Sequence, residues 1–491
     1  MNTRRSFLTG AVGSALLLGD ATVSQAAKSR LPRAKPESVG IDPAGILRFT
    51  EAVDTIGLHS LMLLRHGKVA AEGWWNPYGP QHPHMLYSLS KSFTSTAIGL
   101  LISEGKLSKE AAVVSFFPNE RPATIEDNLA AMQVQHLLMM GTGHDIDTTG
   151  AVLSQPQGDW VRGFFSVPVA HAPTTKFVYN TGATYMLSAI LQTVTGQTVL
   201  DYLRPRLFGP LGIQNPTWET CPKGRNAGGF GLSITTEDIA KFGQLYLQKG
   251  MWDGKQLVPA AWVADATQQH ISNGDPKTPS DWAQGYGYQF WRCRHDAYRG
   301  DGAFGQFCVV LPEKDAVIAI TSGTGDMQGI LNAAWEHLLP AYDRTPSPAP
   351  TLSTRLKRLA LTPPAGAADS TMAKQIQGKT FTFEKNALGA VSVRFDSNLI
   401  TLKLANEEQQ IRWKGGRWEQ GTVSLGSFPS KKAATYGAWS APDTLALTIC
   451  AYETPYIRTI TCQFQGDSIT LAMKDNVSFG PNGVVTLKGR A

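Results

Sequence analysis

The sequence predicts a mixed α/β domain over residues 35–340 joined to an all-β domain over 372–491. Three observations carry this. Strand-like and helix-like stretches alternate through the first region. From about residue 372 short alternating runs dominate, and helical periodicity is almost absent, as in a barrel or sandwich. Between them, Pro346, Pro348, Pro350, Pro363 and Pro364 suit a linker over 341–371.

The elements follow in order. Residues 1–26 read as an export signal. Arg4 and Arg5 precede an apolar run from Phe7 to Leu18, and Ser24 and Ala26 place small residues for cleavage. That run, about 12 residues, is shorter than the ~20 needed to span a bilayer. Thr3-Arg4-Arg5-Ser6-Phe7-Leu8 resembles a twin-arginine signal, which carries folded proteins. A periplasmic or secreted location is therefore expected, with any disulfide optional. No later segment reaches 18 apolar residues, so no membrane span is expected in the mature chain.

His59 to Arg65 reads as a strand, Gly67 as its turn, and Val69 to Trp75 as the return strand. Residues 89–104 read as a helix, with Phe93, Ala97, Leu100 and Leu101 at helical spacing and Gly105 stopping it. Gly182 to Thr195 is a second helix, ended by Gly196. Thr235 to Leu247 is a third, with Thr236 as its expected cap. Cys308 to Pro312 and Ala316 to Thr321 read as strands. In the β-region the runs are 379–383, 390–395, 399–404, 445–451, 457–464 and 468–473. Cys450 and Cys462 fall on consecutive strands, and the sequence leaves their pairing open.

Composition narrows the function classes. With 491 residues, 42% hydrophobic and 17% charged, the chain is neither disordered nor coiled-coil. A net charge of +6 over this length is mild and calls for no nucleic-acid partner. Five scattered cysteines make neither a zinc cluster nor a disulfide framework. His82 and His84 have metal spacing but lie in a loop without nearby acids, so no metal and no cofactor are assigned. No G-x-S-x-G, H-E-x-x-H or Walker loop occurs.

The strongest chemical signal is Tyr87-Ser88-Leu89-Ser90-Lys91-Ser92-Phe93. Ser88 sits where a helix begins, and Lys91, three residues on, shares its face. Burial and the helix macrodipole both disfavour a charged amine there. Lys91 is thereby pushed toward its neutral, basic form, able to deprotonate Ser88. Free N–H groups at the helix start, Ser88's among them, suit an oxyanion. The plain alternative is a capping serine with a solvated lysine; the apolar turns that follow argue for burial instead.

Tyr179, in the loop before the second helix, can aim its phenol at a cleft and act as a base beside a lysine. Its plain alternative is a half-buried loop tyrosine. Gly300-Asp301-Gly302-Ala303-Phe304-Gly305 matches G-x-G-x-x-G, but a strand follows where a dinucleotide site needs a helix. The glycines instead suit a strand edge approaching a ligand. His144-Asp145 reads as loop.

Taken in order, Ser88-x-x-Lys91, His136-Leu137-Leu138 with Thr142-Gly143, Tyr179, Gly228-Gly229 and Gly302-Ala303 resemble the serine β-lactamase and penicillin-binding-protein superfamily. The likeness is greatest to its class C-related branch of esterases, peptidases and amide hydrolases. It implies a β-lactamase/transpeptidase-like fold: an antiparallel sheet with flanking helices beside a helical lobe, with the cleft between. It also implies Ser88 as acylated nucleophile, Lys91 and Tyr179 as its bases, and the Ala303 N–H as an oxyanion donor. Thr181, Asp301 and Gly302 fall at substrate-facing positions of the same motifs.

Two departures stand out. The usual Tyr-x-Asn is here Tyr179-Asn180-Thr181, and no cation leads the third motif at Gly300-Asp301-Gly302. Asp301 either faces the cleft or caps a turn. The expected function is an exported serine hydrolase acting on a small-molecule or peptide substrate, an ester, amide or peptide. The alternatives are a β-lactamase or DD-peptidase, and a non-catalytic binding protein on this fold. The oligomeric state stays open.

Overall fold

Two left-handed residues, His66 (φ 52°) and Gly67 (φ 70°), join strand β1 (Leu58–Arg65) to strand β2 (Lys68–Trp74). This tight turn matches the right-handed strand twist and places Arg65 opposite Lys68. The chain returns to the sheet much later, with β3 (Trp291–Arg292), β4 (Tyr298–Gly302), β5 (Gln306–Leu311) and β6 (Ala316–Ser322). The order is β2-β1-β6-β5-β4-β3, antiparallel at every pair. These are features of a computed structural model that describes residues 30–425 and 428–491. The export signal expected over 1–26 lies outside the described residues.

Both faces of this sheet are buried, so its strands read as near-continuous apolar runs. Leu61, Leu63, Val309, Ile318 and Ile320 face helix α1 (Pro43–Ala52) with its Ile46 and Phe49. Met62, Leu64, Val310, Val317 and Ala319 face the opposite way. There they meet a layer built on α2 (Ser90–Ser103), α3 (Thr181–Thr195) and α4 (Thr236–Leu247). Helix α5 (Met327–Ala333) joins α1 through Ile330 and Leu331.

Helix α2 is buried from Ser90 to Leu101, on every face. Phe93 stacks on Phe242 of α4 at 3.9 Å. Strand β4 lies on the start of α2 because Gly300 has no side chain. A Cβ there would fall 2.5 Å from Leu89 and from the Ser92 hydroxyl. Helix α3 is capped by Asn180 and stopped by Gly196 in the left-handed region. Helix α4 is capped by Thr235, not Thr236. Thr235 is extended and shares a capping box with Asp238, whereas Thr236 is already helical and its hydroxyl bonds Ser60 at 2.7 Å.

The C-terminal domain is one ten-stranded antiparallel sheet. Its strands are β7 (Thr380–Phe383), β8 (Ala390–Asp396), β9 (Leu399–Leu404), β10 (Glu408–Arg412) and β11 (Glu419–Leu425), then β12 (Phe428–Ala441), β13 (Thr444–Cys450), β14 (Ile457–Gln465), β15 (Ser468–Asp475) and β16 (Val485–Arg490). The order is β10-β9-β8-β7-β16-β15-β14-β13-β12-β11, so the first strand pairs with the last. The sheet curls around Phe381, Val393, Phe395, Leu447, Ile460 and Phe464. Strands β10, β11, β12 and β16 were not legible as alternating runs. EQQIR, EQGTVSL and VTLKGR carry too few apolar residues, and the apolar residues of FPSKKAATYGAWSA do not alternate.

The register decides a pairing that the sequence left open, and the connecting stretch packs more closely than a linker need. Cys450 stands opposite Ile457 and Cys462 opposite Leu445, so the two thiols are out of register; all five cysteines are free and buried. The proline-rich stretch is no loose tether. It forms helix α6 (Leu352–Arg358), buries Leu352 and Leu359 against the α1 side of the sheet, and its Arg355 bonds the Thr50 carbonyl at 2.7 Å.

The β-domain docks on the first domain around two buried histidines. His84 donates from Nδ1 to the Met85 carbonyl at 3.0 Å and accepts at Nε2 from His59 Nδ1 at 3.1 Å. His59 stacks on Tyr78 at 3.8 Å, and the Tyr78 hydroxyl donates to the Thr454 carbonyl of the β-domain. The Met85 N–H donates to the Glu453 carbonyl at 2.9 Å. Burial holds both imidazoles neutral: His84 is lowered to about 4, and His59 falls well below its ordinary value by burial and then by His84.

Unfolding frees these rings to take protons, so the stability they support is present above pH 6.5. For His84 it is lost as pH falls from there toward about 4, at a cost on the order of 3 kcal/mol. Denaturant midpoints between pH 7.5 and 4 should fall across this window. A His84→Gln variant should show a flatter profile.

Candidate active site

Ser88 lies in a short turn, Tyr87–Leu89, that leads directly into α2. Tyr87 enters that turn with φ 47°, a strained value for a residue with a side chain. Lys91, one turn on, is 1% exposed. Its Nζ lies 3.0 Å from Ser88 Oγ, 3.1 Å from Thr181 Oγ1 and 2.9 Å from the Gly229 carbonyl. Burial lowers the amine to about 7, against the opposing pull of the Asp147 and Asp301 carboxylates. Near neutral pH a substantial fraction of this lysine is therefore a free base within reach of a serine hydroxyl.

Tyr179 lies beside the Ser88–Lys91 pair, close enough for the Ser88 side chain to act on its phenol. Its ring stacks on Trp291 at 5.1 Å, and the Lys91 amine sits 4.9 Å from its centroid. Burial, then the Asp301 carboxylate, pushes this phenol above its ordinary value. It is thus held as a neutral hydroxyl in the folded chain.

Asn180 does not enter the cleft. It caps α3 and accepts from the Thr148 hydroxyl at 2.8 Å. Thr181 takes the inward place and accepts from Lys91, while its own N–H donates to Asp147 at 2.9 Å. The departure from Tyr-x-Asn thus puts a hydroxyl against the lysine.

Gly302 brings the end of β4 against the turn that carries Ser88. A Cβ there would meet the Leu86 carbonyl at 1.9 Å and the Ser88 N at 3.1 Å, so no side chain fits. Ala303 follows it in the chain. Asp301 is neither an open cleft carboxylate nor a turn cap. It is 6% exposed and paired to the buried Arg299, Nε to Oδ2 at 2.9 Å. Burial raises the Asp301 carboxyl, and Arg299 opposes that rise. Arg299 also donates to the Asp281 carbonyl and lies 4.4 Å from the centre of the Trp282 ring. The strand therefore does carry a cation, one residue earlier than the motif position, but its charge is spent on Asp301.

Gln289 is a site-building residue that the sequence did not reveal. In a left-handed conformation (φ 65°), its carbonyl accepts from Ser92 of α2, and its side-chain oxygen accepts from Thr184 of α3 at 2.6 Å. Its amide donates to the Leu137 and Leu138 carbonyls. It joins three segments that touch only in the folded chain, and no local spacing marks it. The remaining histidines go elsewhere. His82 stacks on Tyr452, His84 on the domain junction, and His144 bonds Thr142, while Asp145 pairs with Lys176 and His171.

A family model described as Beta-lactamase matches residues 49–339. The chain is 25% identical over 286 residues to a 6-aminohexanoate-dimer hydrolase of Paenarthrobacter ureafaciens, covering 54% of this chain and 73% of that one. It is likewise 25% identical over 292 residues to penicillin-binding protein 4 of Amycolatopsis lactamdurans, covering 51% and 75%. Among solved structures, SurE superposes with a TM-score of 0.50 at 14% identity, over 91% of this chain and 98% of that one. EstCE1, a hydrolase with promiscuous acyltransferase activity, superposes at 0.50 and 16% identity over 60% and 98%. At these identities the structural likenesses establish the fold.

Gln289→Leu should leave the Thr184 hydroxyl and the Leu137 carbonyl without these partners, while the Leu138 carbonyl keeps its bond from the backbone N–H of residue 289. At ~1–3 kcal/mol for each unsatisfied buried group, the loss should be about 2 kcal/mol or more. Chemical denaturation of the variant against the parent measures it.

Proposed function

The chain belongs to the beta-lactamase family, a family of serine hydrolases, and from that premise we propose that it is an exported enzyme opening a small ester, amide or peptide bond through an acyl-enzyme on Ser88. The observation that carries this reading is the buried Lys91 amine, 3.0 Å from Ser88 Oγ and lowered to about 7.

In acylation Lys91 takes the Ser88 proton as Oγ bonds to the substrate carbonyl carbon. The Ser88 N–H and the Ala303 N–H bind the oxyanion, the close approach of Gly302 bringing them together. Tyr179, beside Ser88 and Lys91, passes the proton to the departing oxygen or nitrogen as its bond to carbon breaks. Water then attacks the acyl-enzyme. The same groups take its proton and return one to Ser88, and the acid is released. Thr181 and the Gly229 carbonyl hold Lys91 in line throughout.

The paired charges of Arg299 and Asp301 favour neutral substrates. A carboxylate-bearing β-lactam finds no unpaired cation on β4, so esters and amides are preferred over penicillins and cephalosporins. The relative named as a 6-aminohexanoate-dimer hydrolase keeps amides among the candidates. Export rests on the Arg4-Arg5 signal. Among the described residues no helix is long and apolar enough to cross a membrane.

Ser88→Ala should abolish turnover and fluorophosphonate labelling while circular dichroism stays unchanged; wild-type turnover in this variant would refute the assignment. Lys91→Ala and Tyr179→Phe should each slow acylation by at least ~10²-fold, and the double variant by much less than the product. Because the basic form of Lys91 grows as pH rises through about 7, the labelling rate should rise through the same point in the parent. That limb should vanish in Lys91→Ala. A nitrophenyl ester should be cleaved faster than a chromogenic cephalosporin, and the reverse order would favour the β-lactamase reading.

A further inference from the structure

The β-domain places one aromatic side chain at the nucleophile. The loop between β15 and β16 is tied to the first domain by Asn476, whose amide donates to the Gly323 carbonyl at 2.8 Å and to the Pro455 carbonyl at 2.9 Å. Three residues on, Phe479 lies against Tyr87, ring centres 5.4 Å apart, and against Phe304 at 4.7 Å. Tyr87 immediately precedes Ser88, and Phe304 immediately follows Ala303. Phe479 therefore stands on the two residues that flank the nucleophile and the Ala303 N–H.

Its exposure is the second observation. Phe479 is 71% exposed, the most exposed large apolar side chain among the described residues. The next, Ile146 at 62%, directly precedes Asp147, which binds the Thr181 N–H and acts electrostatically on Lys91. The two most exposed large apolar side chains among the described residues thus flank residues of the same site from different domains. Phe479 rests on a built aromatic support: the Tyr87 hydroxyl meets the Tyr456 hydroxyl, and Phe304 packs edge-on to Tyr456 at 5.9 Å. An exposed ring held this way forgoes burial in the free protein and gains it when a ligand covers it.

We propose that Phe479 is a specificity-determining residue, forming an apolar subsite that holds an aryl or bulky aliphatic substituent of a neutral ester or amide beside the scissile carbonyl. This rests on the serine-hydrolase reading of Ser88. The β-domain then belongs to the substrate site. The charge balance agrees, since the strand beside Ser88 offers the paired Arg299 and Asp301 rather than a free charge.

The test is a selectivity ratio in the full-length protein. Hydrolysis of ethyl acetate, ethyl phenylacetate and benzyl acetate is followed by pH-stat for the parent, Phe479→Ala and Phe479→Leu. Phe479→Ala should lower kcat/KM for at least one aryl ester, relative to ethyl acetate, about tenfold or more. The change should lie mainly in KM, and Phe479→Leu should recover part of it. A merely structural role would lower all three substrates by a common factor. An unchanged ratio, with or without such a loss, would overturn the proposal. A parent protein that cleaves none of the esters and takes up no fluorophosphonate would overturn the reading of Ser88 and this inference with it.

Discussion

Burying the Lys91 amine is costly unless oxygen acceptors replace its water, and the fold is arranged to supply them. Its acceptors are a serine hydroxyl, a threonine hydroxyl and a backbone carbonyl, not a carboxylate in direct contact. Neutral acceptors satisfy the amine's hydrogens without fully restoring its charge, so desolvation outweighs the distant carboxylates and the amine falls to about 7. Each acceptor comes from a different segment: the turn before α2, the start of α3, and the glycine loop before α4. The layer of three helices on the sheet is what holds them within 3.1 Å of one nitrogen.

The same economy governs β4. Gly300 and Gly302 give up side chains so that the strand can lie on α2 and on the Ser88 turn. Asp301, between them, and Arg299, just before them, neutralise one another in the interior, the guanidinium lying over the rings of Trp282 and Trp291. A buried pair of this kind adds little net stability. Its consequence is electrostatic, because the strand edge nearest Ser88 carries no open charge. Asp301 still reaches Tyr179 and Lys91 through space, holding the phenol protonated while opposing the fall of the amine.

The β-domain is seated on the first domain rather than tethered beside it. Neutral histidines, the Tyr78 and Met85 hydrogen bonds and Asn476 fix its position, and α6 packs the connecting stretch onto the sheet. This seating brings the Tyr456 and Phe479 rings to the residues around Ser88.

What the sequence by itself determined is local. The β1–β2 hairpin, α2, α3 and α4 were legible because turn glycines, caps and helical spacing act over a few residues. The Ser88–Lys91 pair was legible for the same reason, since three positions along a helix fix a shared face. The all-β character of the C-terminal region showed in its alternating strands, though the polar strands β10, β11 and β16 and the non-alternating β12 did not. Tertiary structure alone decided what depends on distant segments meeting. It set the register that separates Cys450 from Cys462, the Arg299–Asp301 pair, the hub at Gln289, and the place of Thr181 against Lys91. It also decided that a proline-rich stretch packs and that Phe479 reaches the site. Such contacts are chosen by the burial and hydrogen-bond satisfaction of the whole chain, to which no short window of sequence has access.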